Sequence, residues 1–274
     1  MSPYFTALDY RYDSTGHLTH YTQTDSIGPL TIDYTYDDLH QLISENAHTY
    51  SYDSLHNRIA KDELSHHVNT LSQITHDGKT DYLYDPNGNL LQAGSIRFAY
   101  DPLDRLTHVY KDRETYTYTY DAFNRRVSKQ TPRKTIRYIW QGKNEIGSSD
   151  GELRILGDGL GAEIGAAALI KLGGYTYIPI HDQRGAVVNL IDSRGRSCET
   201  IRYTAYGEEL TSSGLSPWRF CSKRQDPETG YLYFGRRYYS SNLGRWISPD
   251  PQGFADGPNL YAYAHNSPLF EIDL

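Results

Sequence analysis

Methionine and phenylalanine are scarce in this chain of 274 residues, which has one Met and seven Phe. Long apolar runs are missing too. The most apolar window, 159–172 (GLGAEIGAAALIKL), is interrupted by Glu163 and falls short of the about 20 residues a spanning helix needs, so no membrane span is expected. The window reads as a short helix or an irregular Gly/Ala-rich link. Two cysteines, Cys198 and Cys221, make no disulfide framework. Basic residues are not in excess: 27 Lys and Arg stand against 34 Asp and Glu, and the net charge of -7 argues against an electrostatic hold on nucleic acid. Met1–Thr6 has neither a basic stretch nor an apolar core, so no Sec-type signal peptide is expected there. No HExxH, Gly-Lys-Ser/Thr phosphate loop or Gly-x-Ser-x-Gly elbow occurs. Eleven histidines are scattered with no Cys pair beside them, so neither a metal nor a cofactor is expected.

Tyrosine is what the chain has instead, with 26 residues against seven Phe. Tyr suits a half-wet sheet, where its ring packs on a neighbour and its hydroxyl bonds to water or backbone. Its placement is periodic. Tyr-Asp begins at Tyr12, Tyr36, Tyr52, Tyr84, Tyr100 and Tyr120. Four residues after each Tyr stand Gly16, His40, His56, Gly88, Asp104 and Asn124, types that tolerate positive φ. Two further on come Leu18, Leu42, Arg58, Leu90, Leu106 and Arg126. Each unit reads as a strand ending in Tyr, a tight turn opened by Asp, and a returning strand. Asp85-Pro86-Asn87-Gly88 predicts a type I turn with a glycine bulge, a common three-residue hairpin connection. Strict alternation in Tyr116-Thr117-Tyr118-Thr119-Tyr120 and in Ile32–Tyr36 predicts strands. The fold class expected is all-β, with repeated hairpins in a curled or spiral strip.

Three regions are expected: a Tyr-Asp β-strip over 1–140, a Gly-rich connector over 141–174, and a segment over 175–274 that returns to strands with altered turns. Asp182-Gln183-Arg184-Gly185 and Asp192-Ser193-Arg194-Gly195 keep the Asp-x-x-Gly spacing there. Residues 225–274 then change character, with Asp226-Pro227-Glu228-Thr229-Gly230-Tyr231-Leu232-Tyr233, Arg236-Arg237-Tyr238-Tyr239, Gly244-Arg245-Trp246-Ile247-Ser248-Pro249-Asp250-Pro251 and a final Ile272-Asp273-Leu274.

That last segment resembles the RHS repeat-associated core, and the Tyr-Asp array resembles the YD repeats that precede it in the Rhs polymorphic toxins and the C component of Tc toxins. The resemblance implies a β-strip wound into a hollow shell around a C-terminal toxin cargo, with the core segment as a plug carrying an aspartic autoprotease. It places the family's functional Arg on Arg237 and its two Asp on Asp250 and Asp273. Such chemistry needs two close carboxylates whose pKa values split, one ionised to activate water and one protonated to polarise the carbonyl. A nearby Arg holds one of them ionised. The family continues Pro-x-Gly-Leu after Asp273, whereas this sequence has Leu274, so an incomplete self-cleavage site is expected, with the cargo absent. Ser240 stands where the family has Asp after Tyr-Tyr. Six units are too few to close a shell, and an open strip leaves sheet edges for remaining shell segments or a secretion apparatus to cover. Export through an injection system and cytoplasmic residence before it both fit. The alternative is a free-standing Tyr-rich module that binds carbohydrate or a protein surface, with Tyr116, Tyr118 and Tyr120 sharing one strand face.

Overall fold

The turns carry the architecture. In the computed structural model, which describes residues 6–161, 163–211 and 213–272, each Tyr-Asp unit closes the same way. The Asp13 amide donates to the His17 carbonyl (3.0 Å), and the Gly16 amide donates to the Asp13 carbonyl (3.2 Å). Asp13 Oδ1 accepts the amides of Thr15 and His17, both at 2.9 Å. The position four after Tyr has positive φ at Gly16, His40, His56, Gly88, Asp104 and Asn124. Pairing then slips by one residue, as between Arg11 and Tyr12, which is the bulge expected for this turn.

The sixth residue of each unit was not read from the sequence, yet it completes the turn. In the Tyr36, Tyr52, Tyr84, Tyr100 and Tyr120 units, Gln41, Asn57, Asn89, Arg105 and Arg125 donate to the second oxygen of Asp37, Asp53, Asp85, Asp101 and Asp121. A seventh unit escaped notice: Asn69 Oδ1 accepts the amides of Leu71 (2.9 Å) and Gln73 (3.0 Å), and Ser72 takes the positive φ. In the Thr204–Gly207 turn the Thr204 hydroxyl accepts one amide, that of Glu208 (3.1 Å). Asp101→Ala is expected to cost about 1–2 kcal/mol, because two amides and Arg105 lose an acceptor. Asp101→Asn keeps one acceptor, as Asn69 does, and is expected to lose less than half of that in urea unfolding.

Tyrosine hydroxyls stitch one unit to the previous one. Tyr36, Tyr52 and Tyr120 donate to the carbonyls of Leu18, Leu42 and Leu106 at 2.8, 2.6 and 2.7 Å. These leucines are buried, as are Arg58 and Arg126 at the same repeat position.

Among the described residues, twenty-two strands between Ala7 and Thr200 pair antiparallel with their sequence neighbours. A seven-stranded sheet runs from Ala7–Tyr12 to Leu64–Ser65, a two-stranded ladder joins His67–Val68 to Ile74–His76, and a thirteen-stranded sheet runs from Tyr82–Tyr84 to Ser197–Thr200. A bridge between His76 and Asp81 links the last two. The 141–174 stretch expected as a connector carries three of these strands, Asn144–Ser148, Glu152–Leu156 and Ala167–Leu172, so the sheet crosses both 140 and 174. Its 159–172 window holds a strand and not a helix. Alternation is weak there because Gly and Ala supply little side chain to alternate.

The strip curls. Gln183 donates its amide to Tyr10 Oη (3.2 Å) and accepts from Tyr12 Oη, while Asn189 reaches Thr6 Oγ1 (2.8 Å) and Arg202 pairs with Asp25 (2.8 Å). The first strands therefore meet the last through side chains. Residues 202–211 and 213–272 lie against the strip as a lining of short strands and 3-10 turns. Three apolar clusters fasten it: Leu18, Leu42 and Tyr50 with Tyr206 and Leu269; Leu90, Phe98 and Val109 with Tyr233 and Ile247; Ile170 and Val188 with Trp218, Tyr239 and Trp246. Tyr118 is buried and donates to Glu228 of the lining.

Candidate functional site

Arg237 closes a tight turn in the lining. The Phe234 amide donates to the Arg237 carbonyl (3.0 Å) between the paired strands Leu232–Tyr233 and Tyr238–Ser240. Across the next ladder, Tyr239 pairs with Trp246. That register sets the Arg237 guanidinium over the buried Trp246 ring, 4.0 Å from its centroid. Phe234 meets the same indole edge-on at 5.0 Å. Two aromatic rings thus fix where the cation stands.

Asp250 enters from a turn of the kind that builds the strip. Its amide donates to the Leu260 carbonyl (2.9 Å), its carbonyl accepts from Gly253 (3.0 Å), and Gly253 has φ +66°. One carboxylate oxygen, Oδ1, accepts the Gln252 amide at 2.7 Å. In the strip, the other oxygen faces a side chain of its own turn. Here Oδ2 faces Arg237 at 2.8 Å. Both side chains are mostly shielded, with 11% and 16% of their surface exposed. A charge-assisted pair so shielded fixes the orientation of the Asp250 carboxylate.

The pair stands at a cleft of about 1280 Å³ between the lining and the strands around Trp140. The cleft's charges are largely matched. Arg224 holds Glu145 through two contacts of 2.9 Å, and Lys223 holds Glu163 at 3.0 Å. Burial alone would raise the Glu145 carboxyl, but Arg224 outweighs it and holds Glu145 below the ordinary range. A single oriented carboxylate beside a cleft can activate water or polarise a bond once a second acid joins it.

The structure therefore brings together two of the three residues singled out from the sequence, Arg237 and Asp250. Asp273 lies outside the described residues. Just before it, Glu271 accepts from His265 Nδ1 (2.7 Å), whose Nε2 reaches the Asp256 carbonyl (2.9 Å). Trp246 was missed as the platform for Arg237. Its signal was present in Gly244-Arg245-Trp246, which places the ring one ladder away from the Tyr-Tyr pair. Among the described residues, no group of three or more His, Cys, Asp and Glu side chains could hold a metal ion. No helix there is long and apolar enough to cross a membrane.

Known proteins resemble this chain in sequence and in fold. The tRNA nuclease WapA of Bacillus subtilis is 28% identical over 219 residues, covering 75% of this chain and 9% of WapA. Toxin protein Tse5 of Pseudomonas aeruginosa is 28% identical over 244 residues, covering 70% of this chain and 18% of Tse5. The solved structure of TcdB2-TccC3-Cdc42 superposes with a TM-score of 0.77 at 20% identity, over 98% of this chain and 17% of that one. The chain thus spans less than a fifth of the length of each of these proteins. The family model for the teneurin YD-shell matches residues 11–269. With nearly its whole length inside that match, the chain belongs to the teneurin YD-shell family.

Proposed function

We propose that this chain forms part of the wall and lining of a shell that encloses a toxin, and that Arg237, Asp250 and Asp273 make an aspartic self-cleavage site. Toxin cargo is then the partner, a reading supported by the names of relatives such as toxin protein Tse5 and toxin subunit YenC1. The observation that carries the cleavage reading is the Arg237–Asp250 pair, which stands on Trp246 and lines a cleft. Arg237 orients Asp250 as the base that activates water. Asp273 is assigned the protonated role, since an aspartic mechanism pairs one ionised with one protonated carboxyl.

The test appends Pro-x-Gly-Leu and a reporter domain after Asp273. Self-cleavage is expected on a gel, and Asp250→Asn or Asp273→Asn is expected to slow it by about 100-fold or more, the scale of a lost general acid or base. Cutting that persists at the parental rate in both variants removes these carboxylates from the mechanism.

A further inference from the structure

Two of the repeat units replace the buried leucine after the turn with arginine, and the two replacements are served differently. Arg126 is ringed by Tyr118, Tyr138, Tyr233 and Tyr238. It meets the buried Asp226 carboxylate of the lining. Arg58 is equally enclosed, 4% exposed, with its guanidinium 5.4 Å from the Tyr50 ring and 4.9 Å from the Tyr206 ring. Among the described residues, no carboxylate pairs with it. What the lining brings instead is a second buried arginine, Arg245, also 4% exposed and 5.0 Å from the Tyr261 ring.

Each guanidinium makes one hydrogen bond to a main-chain carbonyl: Arg58 Nη2 to Asn242 (2.6 Å) and Arg245 Nη2 to Ser72 (2.5 Å). Nε and Nη1 of both residues are buried without a hydrogen-bond partner among the described residues. The two lie in one neighbourhood. Gly244 is so close to Arg58 that an added Cβ would stand 2.6 Å from Nη1, and Arg245 is the next residue. Both cations also act on His66, whose imidazole burial pushes down to about 4 with their help. The nearby carboxylates are already committed. Asp53 accepts the Leu55 and Asn57 amides and the Asn57 side chain, and Asp77 accepts the Lys79 and Thr80 amides and the Tyr82 hydroxyl.

Two guanidiniums buried in one neighbourhood with no carboxylate paired to either are strongly unfavourable, and tyrosine faces offset only part of that cost. Four unpaired donor nitrogens add to it. We propose that Arg58 and Arg245 form a buried binding site for one small inorganic anion of halide size. Gly244 and the Tyr206 ring already crowd Arg58: a Cβ added at Gly244 would stand 2.6 Å from Arg58 Nη1 and 2.8 Å from the Tyr206 ring, so the anion proposed is a small one. The site fastens the lining to the seven-stranded part of the strip, as Asp226 fastens it to Arg126 in the thirteen-stranded part.

The test is anion-dependent unfolding of the whole chain, with chloride exchanged for gluconate at constant ionic strength. One bound anion lost on unfolding lowers the unfolding constant about tenfold for each tenfold rise in chloride above its dissociation constant. Arg58→Leu, which restores the residue of the other units, is expected to flatten that slope. Arg133→Gln on the exposed surface is expected to keep it. Equal unfolding constants in the two salts, or a full slope in Arg58→Leu, overturn the proposal. If Arg58→Leu does not fold, bromide-soaked crystals of the parent chain decide. An anomalous peak touching both guanidiniums supports the site, and a map without one overturns it.

Discussion

Asp226→Asn is expected to lower the unfolding free energy by about 3–5 kcal/mol, the usual cost of breaking a buried ion pair from one side. Asp226 is wholly buried and receives both Arg126 and Lys129 Nζ, the latter at 3.1 Å. Burial by itself would raise its carboxyl, but the two cations outweigh burial and hold it below the ordinary range. Removing the charge leaves Arg126 inside four tyrosine rings with no counter-ion. Lys129 is less affected, because it keeps Glu228 at 2.8 Å. The double variant Arg126→Leu with Asp226→Asn is expected to recover at least half of the loss, since leucine is the resident of this position in four other units. A double-mutant cycle by urea unfolding measures the coupling. Equal destabilisation in single and double variants would show that the tyrosine cage, and not the carboxylate, carries Arg126.

The unit boundaries were legible because a turn is local. Asp at the first position and a positive-φ residue three later act within five residues, so chain order alone exposes them. Asn69 slipped past because both letters of the motif changed while the acceptor oxygen stayed. The strand Ala167–Leu172 slipped past because the glycines and alanines before and within it blur alternation, and Glu152–Leu156 because it buries Arg154 and exposes Leu153 and Ile155. The partner of each buried cation was not legible at all. Arg58 and Arg126 occupy one repeat position, and only the lining, about a hundred residues or more away in sequence, decides that Arg126 meets Asp226 while Arg58 meets Asn242 and Gly244. The same holds for the candidate site. The motif named Arg237 and Asp250, but their meeting depends on the ladder that sets Trp246 beneath the guanidinium.

Gly185 and Gly195 offer the second large effect and carry their own control. They end equivalent Asp-x-x-Gly turns with φ of +71° and +79°. Around Gly195 nothing lies within 4 Å of an added Cβ. Around Gly185 the same Cβ would stand 2.5 Å from both the Gly165 nitrogen and Ile164 Cγ2. Ser222 of the lining locks this contact, donating to the Gly185 carbonyl (2.7 Å) and accepting the Gly165 amide (3.2 Å). Gly195→Ala is therefore expected to cost about 1–2 kcal/mol, the left-handed penalty alone. Gly185→Ala adds an overpacking cost of about 1–3 kcal/mol, because backbone atoms cannot step aside as a flexible side chain would. Urea unfolding of the two variants reads the difference directly. Equal losses would mean that the loop before Ala167 yields freely, and that the lining does not clamp the strip at Gly185.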